Sequence, residues 1–198
     1  MQDEMSAQDL KDRLGLIESM IAEGRRSAES WGWTYLLWGV ALYVAMGWAA
    51  WTGSDLAWPV TMVAAFVITV AIGFSKGKGH PRTTLGRAAA SIWVTVGITM
   101  LMLFPALGIS GRLDPHTFVA VVAGMLGMAN GASGLLLKWK AQMACAAAWW
   151  ATSVAGCFST GKELNALLLA AIFICQIVFG VYAMILESRR RPGGVVHA

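Results

Sequence analysis

The chain has 198 residues, of which 57% are hydrophobic and only 13% are charged. Because a soluble domain carries about 25% charged residues, this composition excludes an ordinary soluble globular protein. The isoelectric point near 9.2 does not indicate a nucleic-acid-binding protein, since the basic residues flank apolar segments instead of forming a stripe with interleaved aromatic residues.

Charged residues are absent from six segments of the chain. A bilayer core about 30 Å thick is crossed by about 20 apolar residues in a helix, and each segment is at least that long. The sequence therefore predicts an all-α integral membrane bundle of six transmembrane helices. The charge-free segments are 30–54, 56–75, 88–111, 115–137, 141–161 and 164–186. The predicted spans within them are Trp33–Trp51, Leu56–Phe74, Ala88–Leu107, Thr117–Leu137, Gln142–Phe158 and Leu164–Leu186.

The distribution of Lys and Arg predicts the orientation. With six spans, only Arg112 and Lys162 fall on one side of the membrane, and the other thirteen of the fifteen basic residues fall on the opposite side. Basic loops stay in the cytosol, so we expect both termini there. The predicted organisation is a cytosolic helical segment 1–30, a transmembrane domain 31–187 and a basic cytosolic tail 188–198.

The segment 6–28 has the pattern of an amphipathic helix that precedes the first span. Leu10, Leu14, Ile17 and Ile21 recur at spacings of four, three and four residues and so form one apolar stripe. Acidic residues outnumber basic ones over residues 1–30, which disfavours a helix that lies on anionic lipid. The stripe therefore indicates either contact with a protein partner or a second copy, or docking against the inner ends of the spans.

Two short motifs near the amino terminus resemble a known group of proteins. Leu16-Ile17-Glu18-Ser19-Met20-Ile21, followed by Tyr35-Leu36-Leu37-Trp38-Gly39, is similar to the start of a group of small bacterial multi-pass membrane proteins of unassigned function. The match covers about the first forty residues. The resemblance implies a membrane protein with a cytosolic amino-terminal helix, which we expect in the bacterial cytoplasmic (inner) membrane. It brings no activity or site residues.

Small residues form a groove along the fourth predicted span. Gly127 and Gly131 have the GxxxG spacing that allows two helix backbones to approach closely. This seam favours helix packing, either with a neighbour in the same bundle or with a second subunit, and the internal neighbour is the better expectation. The seam residues are Ala120, Gly124, Gly127, Gly131 and Gly134.

Polar and aromatic residues also lie within the predicted spans, and they suggest an intramembrane pocket as an alternative to simple interhelical hydrogen bonding. No Asp, Glu, Lys or Arg lies within a span, so a proton- or sodium-coupled pump is disfavoured. The candidate pocket residues are Trp38, Trp93, Asn130, Trp149, Trp150 and Gln176.

Signals for catalysis and metal binding are weak. His80, His116 and His197 are spread over three loops, and Asp114 next to Pro115 fits a helix cap better than acid–base chemistry. Cys145, Cys157 and Cys175 fit no zinc or CxxC spacing and are expected at different membrane depths, as small buried hydrophobic residues. We expect no enzymatic activity, no cofactor, no metal and no nucleic-acid partner.

The sequence thus favours a non-enzymatic membrane protein that acts by association, as an accessory, scaffold or regulatory subunit that contacts a partner through its amino-terminal helix. The alternative is a small uncoupled facilitator or exporter of a neutral or lipophilic compound, because such a carrier does not need intramembrane charge.

Overall fold

A computed structural model of the chain describes residues 2–54, 56–76 and 84–190, with side chains described for residues 9–54, 56–75 and 84–189. These residues fold into helices joined by short turns, without a strand among them, which confirms the predicted all-α class. The helices are α1 (Gln2–Glu29), α2 (Gly32–Thr52), α3 (Ala57–Lys76), α4 (Thr84–Ile109), α5 (Pro115–Leu136), α6 (Lys140–Gly156), α7 (Gly161–Ile172) and α8 (Phe179–Arg190), with a π-helical turn, Phe173–Val178, between α7 and α8.

Five stretches of the described chain are long and apolar enough to cross a membrane. The first combines α1 from Asp9 onwards with α2, and the last combines α7, the π-helical turn and α8. The 17 residues of α6 fall just short of this group. The five stretches are Asp9–Thr52, Ala57–Ser75, Thr84–Ile109, Pro115–Leu136 and Gly161–Arg189.

Helices α5 and α6 form the tightest pair of the bundle. Their connection is short because Lys138 adopts a left-handed backbone conformation, with φ of 49°. The amide of Trp139 then donates a hydrogen bond to the carbonyl of Gly134, at 2.8 Å. The core of the bundle lies along this hairpin, where Ala123 and Trp149 are completely buried.

The remaining helices surround the hairpin. Helix α2 packs against α3 and against the carboxy-terminal helical stretch, while α4 packs against α5. Helix α1 is not separate from the bundle, since it contacts α4 and α8. The first and last helices of the chain are therefore neighbours.

Parts of the predicted organisation lie outside the described residues. The predicted basic tail 188–198 continues α8 as far as Arg190, and residues 191–198 lie outside the described chain, as do His80 and His197.

Candidate association surface on the amino-terminal helix

The apolar stripe of α1 divides into a docked half and an exposed half. In the docked half, Gly24 is buried, and a Cβ atom built on it would lie 3.0 Å from the Cβ of Leu85 and 3.1 Å from Cδ2 of Leu137. Ala28, one turn further along the same stripe, packs against the buried core. The end of α1 is therefore fitted closely to the start of α4 and to the α5–α6 turn.

A charged pair reinforces this docking. The guanidinium of Arg25 lies 5.3 Å from the ring centroid of Trp139, in a cation–π arrangement. Its Nε is 3.3 Å from a carboxylate oxygen of Glu29, a residue that is only 1% exposed. The docking against Trp139 thus draws a charged pair at the end of α1 towards the protein interior.

The other half of the stripe extends beyond the bundle. Leu10 is 60% exposed, and Leu14 and Ile17 are each 52% exposed, whereas Ile21 is half-buried at the boundary with the docked half. All side chains from residue 9 to residue 20 are exposed on every face of the helix. The described bundle thus covers one half of a continuous apolar stripe and leaves the other half open.

The exposed half also carries charge around the stripe. The guanidinium of Arg13 pairs with the carboxylate of Asp9 one turn earlier, at 3.0 Å, and Glu18 is also exposed. Such exposed pairs on a helix contribute little to stability. The stripe is therefore framed by polar, solvated groups, as the rim of an interface is.

The glycine seam of α5 faces α6. The indole of Trp150 lies against Gly127 and Gly131, and the side chain of Met143 lies against Gly134. At the far end of the seam, the hydroxyl of Ser153 donates a hydrogen bond of 2.7 Å to the carbonyl of Ala120 and also approaches Gly124. Side chains of α6 from the same chain occupy the seam. We therefore do not propose it as a contact between two chains.

The candidate pocket residues are held in different surroundings. The amide of Asn130 donates to the carbonyl of Leu126 in its own helix, at 2.8 Å. The Cβ and side chain of Gln176 lie close to Gly39 of α2. Trp93 packs edge-on against Tyr35, with ring centroids 5.3 Å apart.

The tryptophans of the candidate pocket differ in burial. Trp149 is fully buried, Trp38 is half-buried, and Trp150 is 43% exposed next to the glycine seam. The contacts described for these side chains are those of helices packed against one another.

Sequence reasoning missed a buried polar contact between α2 and α6. The amide of Gln142 donates a hydrogen bond of 3.0 Å to the hydroxyl of Tyr35, and Gln142 is 1% exposed. The ring of Tyr35 packs edge-on against Phe179, which in turn contacts Trp139. The polar positions of Tyr35 and Gln142 at the same end of their predicted spans were the only signal in the sequence.

The connection between α4 and α5 contains a helix cap. The carboxylate of Asp114 accepts hydrogen bonds from the amides of His116 and Thr117 and from the Thr117 hydroxyl. These bonds, with that from the hydroxyl as the main cause, lower the pKa of Asp114. His116 lies 3.0 Å from the carbonyl oxygen of Ser159 through its Nε2 atom. The loop is held by these contacts, and capping accounts for Asp114.

Comparison with protein-family models, with curated proteins and with solved structures finds no match to this chain.

Proposed function

We propose that this protein is a non-enzymatic accessory, scaffold or regulatory subunit of the bacterial cytoplasmic membrane, and that it contacts a protein partner through the exposed half of the α1 stripe. In this proposal α6 completes a set of six spans, because 17 residues lie at the lower limit of membrane-crossing helices. The excess of Lys and Arg on one side then supports cytosolic termini and a cytosolic α1.

The observation that carries the proposal is the continuity of the stripe across its two halves. Gly24 and Ala28 show that this face of α1 is built to pack closely, while Leu10, Leu14 and Ile17 continue it beyond the bundle. Full burial of such side chains stabilises a contact by about 1.5–3 kcal/mol each. Because they are more than half exposed, they obtain only part of this stabilisation in the folded chain.

The length of the exposed segment also supports a partner. The side chains of residues 9–20 are all exposed, so the bundle does little to hold this part of α1, and an unsupported helical segment of about 12–15 residues is marginal in water. A helix packed along Leu10, Leu14 and Ile17 would stabilise it. Because acidic residues outnumber basic ones near the amino terminus, the partner surface should be apolar with a neutral or basic rim.

The chain offers a matched pair of positions for the test. Leu14 lies on the stripe and is 52% exposed, whereas Leu16 lies off the stripe and is 61% exposed. Full-length wild-type protein, Leu14→Ser and Leu16→Ser would be transferred from native membranes into nanodiscs and weighed by native mass spectrometry. We expect wild type and Leu16→Ser to carry a stoichiometric second protein or a second copy, and Leu14→Ser to lose it.

Two outcomes would contradict the proposal. Wild-type protein that is always a single chain without a protein partner excludes association through α1. Equal loss of the partner in both variants places the contact elsewhere. A single chain that retains a bound neutral or lipophilic molecule in all three samples would favour the facilitator alternative. Thermal unfolding of each variant controls for damage to the bundle.

A further inference from the structure

The imidazole ring of His116 lies between two oxygen atoms from different parts of the chain. Its Nε2 atom is 3.0 Å from the carbonyl oxygen of Ser159, in the connection between α6 and α7. Its Nδ1 atom is 3.7 Å from a carboxylate oxygen of Asp114, the N-cap of α5. A carbonyl and an ionised carboxylate only accept hydrogen bonds, so both ring nitrogens face acceptors.

Only the charged form of the ring suits both neighbours. A neutral imidazole carries one N–H group, so it presents a lone pair to one of the two oxygens. The imidazolium presents N–H groups to both, and its charge attracts the carboxylate of Asp114. The hydrogen bond from the Thr117 hydroxyl lowers the pKa of Asp114, so this carboxylate stays ionised over the range of about pH 5 to 8 in which histidine side chains change charge.

Asp114 is the charged group that lies against the ring. Arg112 precedes it in the connection between α4 and α5, and Lys162 and Glu163 belong to the first turn of α7. The carboxylate of Glu163 is engaged in the capping box at the start of α7. Within the part of the chain that the structure describes, the ion pair of His116 is with Asp114.

The start of α3 also packs against the start of α5. The rings of Trp58 and Phe118 meet edge to face, with centroids 5.2 Å apart. The side chains described for residues 56–75 of this helix and its start carry no charge, and Asp55, which precedes them, lies outside the described residues. The described part of α3 therefore adds no charged group to the surroundings of His116.

We propose that His116 is a pH-dependent clamp, which in its protonated state ties the start of α5 to the connection between α6 and α7. The two oxygens are fixed beside the ring only in the folded chain. The contacts of the charged ring therefore stabilise the fold at the acidic side of the histidine range and are released as the pH rises. The clamp lies at the opposite end of α5 from the turn that α1 contacts, and it is independent of the proposed association.

The test measures how tightly the connection between α6 and α7 is held at two pH values. The chain has three histidines, so full-length protein with His80→Gln and His197→Gln retains His116 alone. Amide hydrogen exchange of residues 157–163 would be measured in nanodiscs at about pH 5.5 and about pH 8 and corrected for its intrinsic pH dependence. We expect exchange to be roughly 2- to 5-fold slower at the lower pH, as for an exposed ion pair with a hydrogen bond.

Two further variants in the same protein identify the cause. His116→Gln keeps an uncharged amide that can donate to Ser159 at either pH, so its corrected exchange should not depend on pH. Asp114→Asn removes the negative charge beside the ring, so the difference between the two pH values should shrink. Exchange in the His116 protein that is the same at both pH values would overturn the clamp, as would an equal difference in His116→Gln or an undiminished one in Asp114→Asn.

Discussion

The indole ring of Trp150 lies so close to the backbone of Gly127 that a Cβ atom on Gly127 would overlap ring atoms Cδ1 and Nε1. The outer part of the same ring lies over Gly131, where a Cβ would be 2.8 Å from Cη2. The GxxxG spacing of α5 therefore accommodates a large side chain instead of a second backbone. This contact fixes the register of the α5–α6 hairpin.

Substitution Gly127→Ala should destabilise the bundle. The added methyl group meets the inner part of the Trp150 ring, which cannot move without shifting α6, so we expect a loss of about 1–3 kcal/mol. Thermal unfolding of both proteins in nanodiscs measures this loss of stability. The control is Gly97→Ala, a helical position with open space around it, which should be neutral or slightly stabilising.

A double-mutant cycle tests the cause of that loss. Trp150→Ala removes the ring, so Gly127→Ala should cost much less in that background. An unchanged cost would show that the contact with Trp150 is not responsible.

The hydrogen bond between Gln142 and Tyr35 should contribute measurably to stability. Tyr35→Phe leaves the buried Gln142 amide without this acceptor, and we expect a cost of about 1 kcal/mol, similar to other polar pairs between membrane helices. Tyr182→Phe, at a 40% exposed position, is the control and should be near neutral. Adding Gln142→Leu to Tyr35→Phe removes the unpaired amide, so part of the lost stability should return. If no stability returns, the hydrogen bond between Gln142 and Tyr35 is not the cause of the loss.

The cation–π contact of Arg25 should hold the end of α1 on the bundle. Arg25→Gln removes the charge both from the face of Trp139, a contact of about 0.5–2 kcal/mol, and from its ion pair with the buried Glu29. Hydrogen exchange of the amides at residues 21–29 should become roughly 2- to 30-fold faster. Arg26→Gln, at an exposed neighbouring position, should leave the exchange rates unchanged; equal acceleration in both variants would argue against a specific role of Arg25.

The cap at Asp114 should make the start of α5 sensitive to acid. Because the hydrogen bond from the Thr117 hydroxyl lowers the pKa of Asp114 in the folded state, the cap contributes fully above the ordinary pKa of 3.8 and is lost as the pH falls through the lower folded value. Amide exchange at His116 and Thr117, corrected for its intrinsic pH dependence, should lose protection on acidification. Asp114→Asn should remove most of this pH dependence, and a wild-type response in that variant would refute the assignment.

The helices could be predicted from the sequence because each follows an apolar segment that ends at charged or turn-forming residues. Asp114 with Pro115 marks the start of α5, as the cap confirms. Contacts between distant residues could not be predicted in this way. Tyr35 and Gln142 are 107 residues apart, and hydrophobic periodicity gives the face of a helix and not the neighbour that it meets.

The same limit applies to two further features of the chain. The sequence predicts the stripe on α1. Its division into docked and exposed halves depends on the positions of the start of α4 and of the α5–α6 turn, which contact only part of the stripe. The cysteines were expected at different depths, whereas the structure places Cys145 and Cys175 side by side. The length of the α6–α7 hairpin and the π-helical turn determine the depth at which each cysteine lies. Neither can be predicted from the number of residues between the two cysteines.

The close approach of α2 and α8 has a consequence for the order in which the protein matures. A Cβ on Gly32 would lie 2.8 Å from the Cβ of Ala183, and one on Gly180 would lie 2.9 Å from the amide nitrogen of Leu36. Helix α2 leaves the ribosome well before α8, so its glycine face lacks this close neighbour until α8 is made. Until then that face must be shielded by lipid or by the insertion machinery, and a chain truncated before α8 would leave it open.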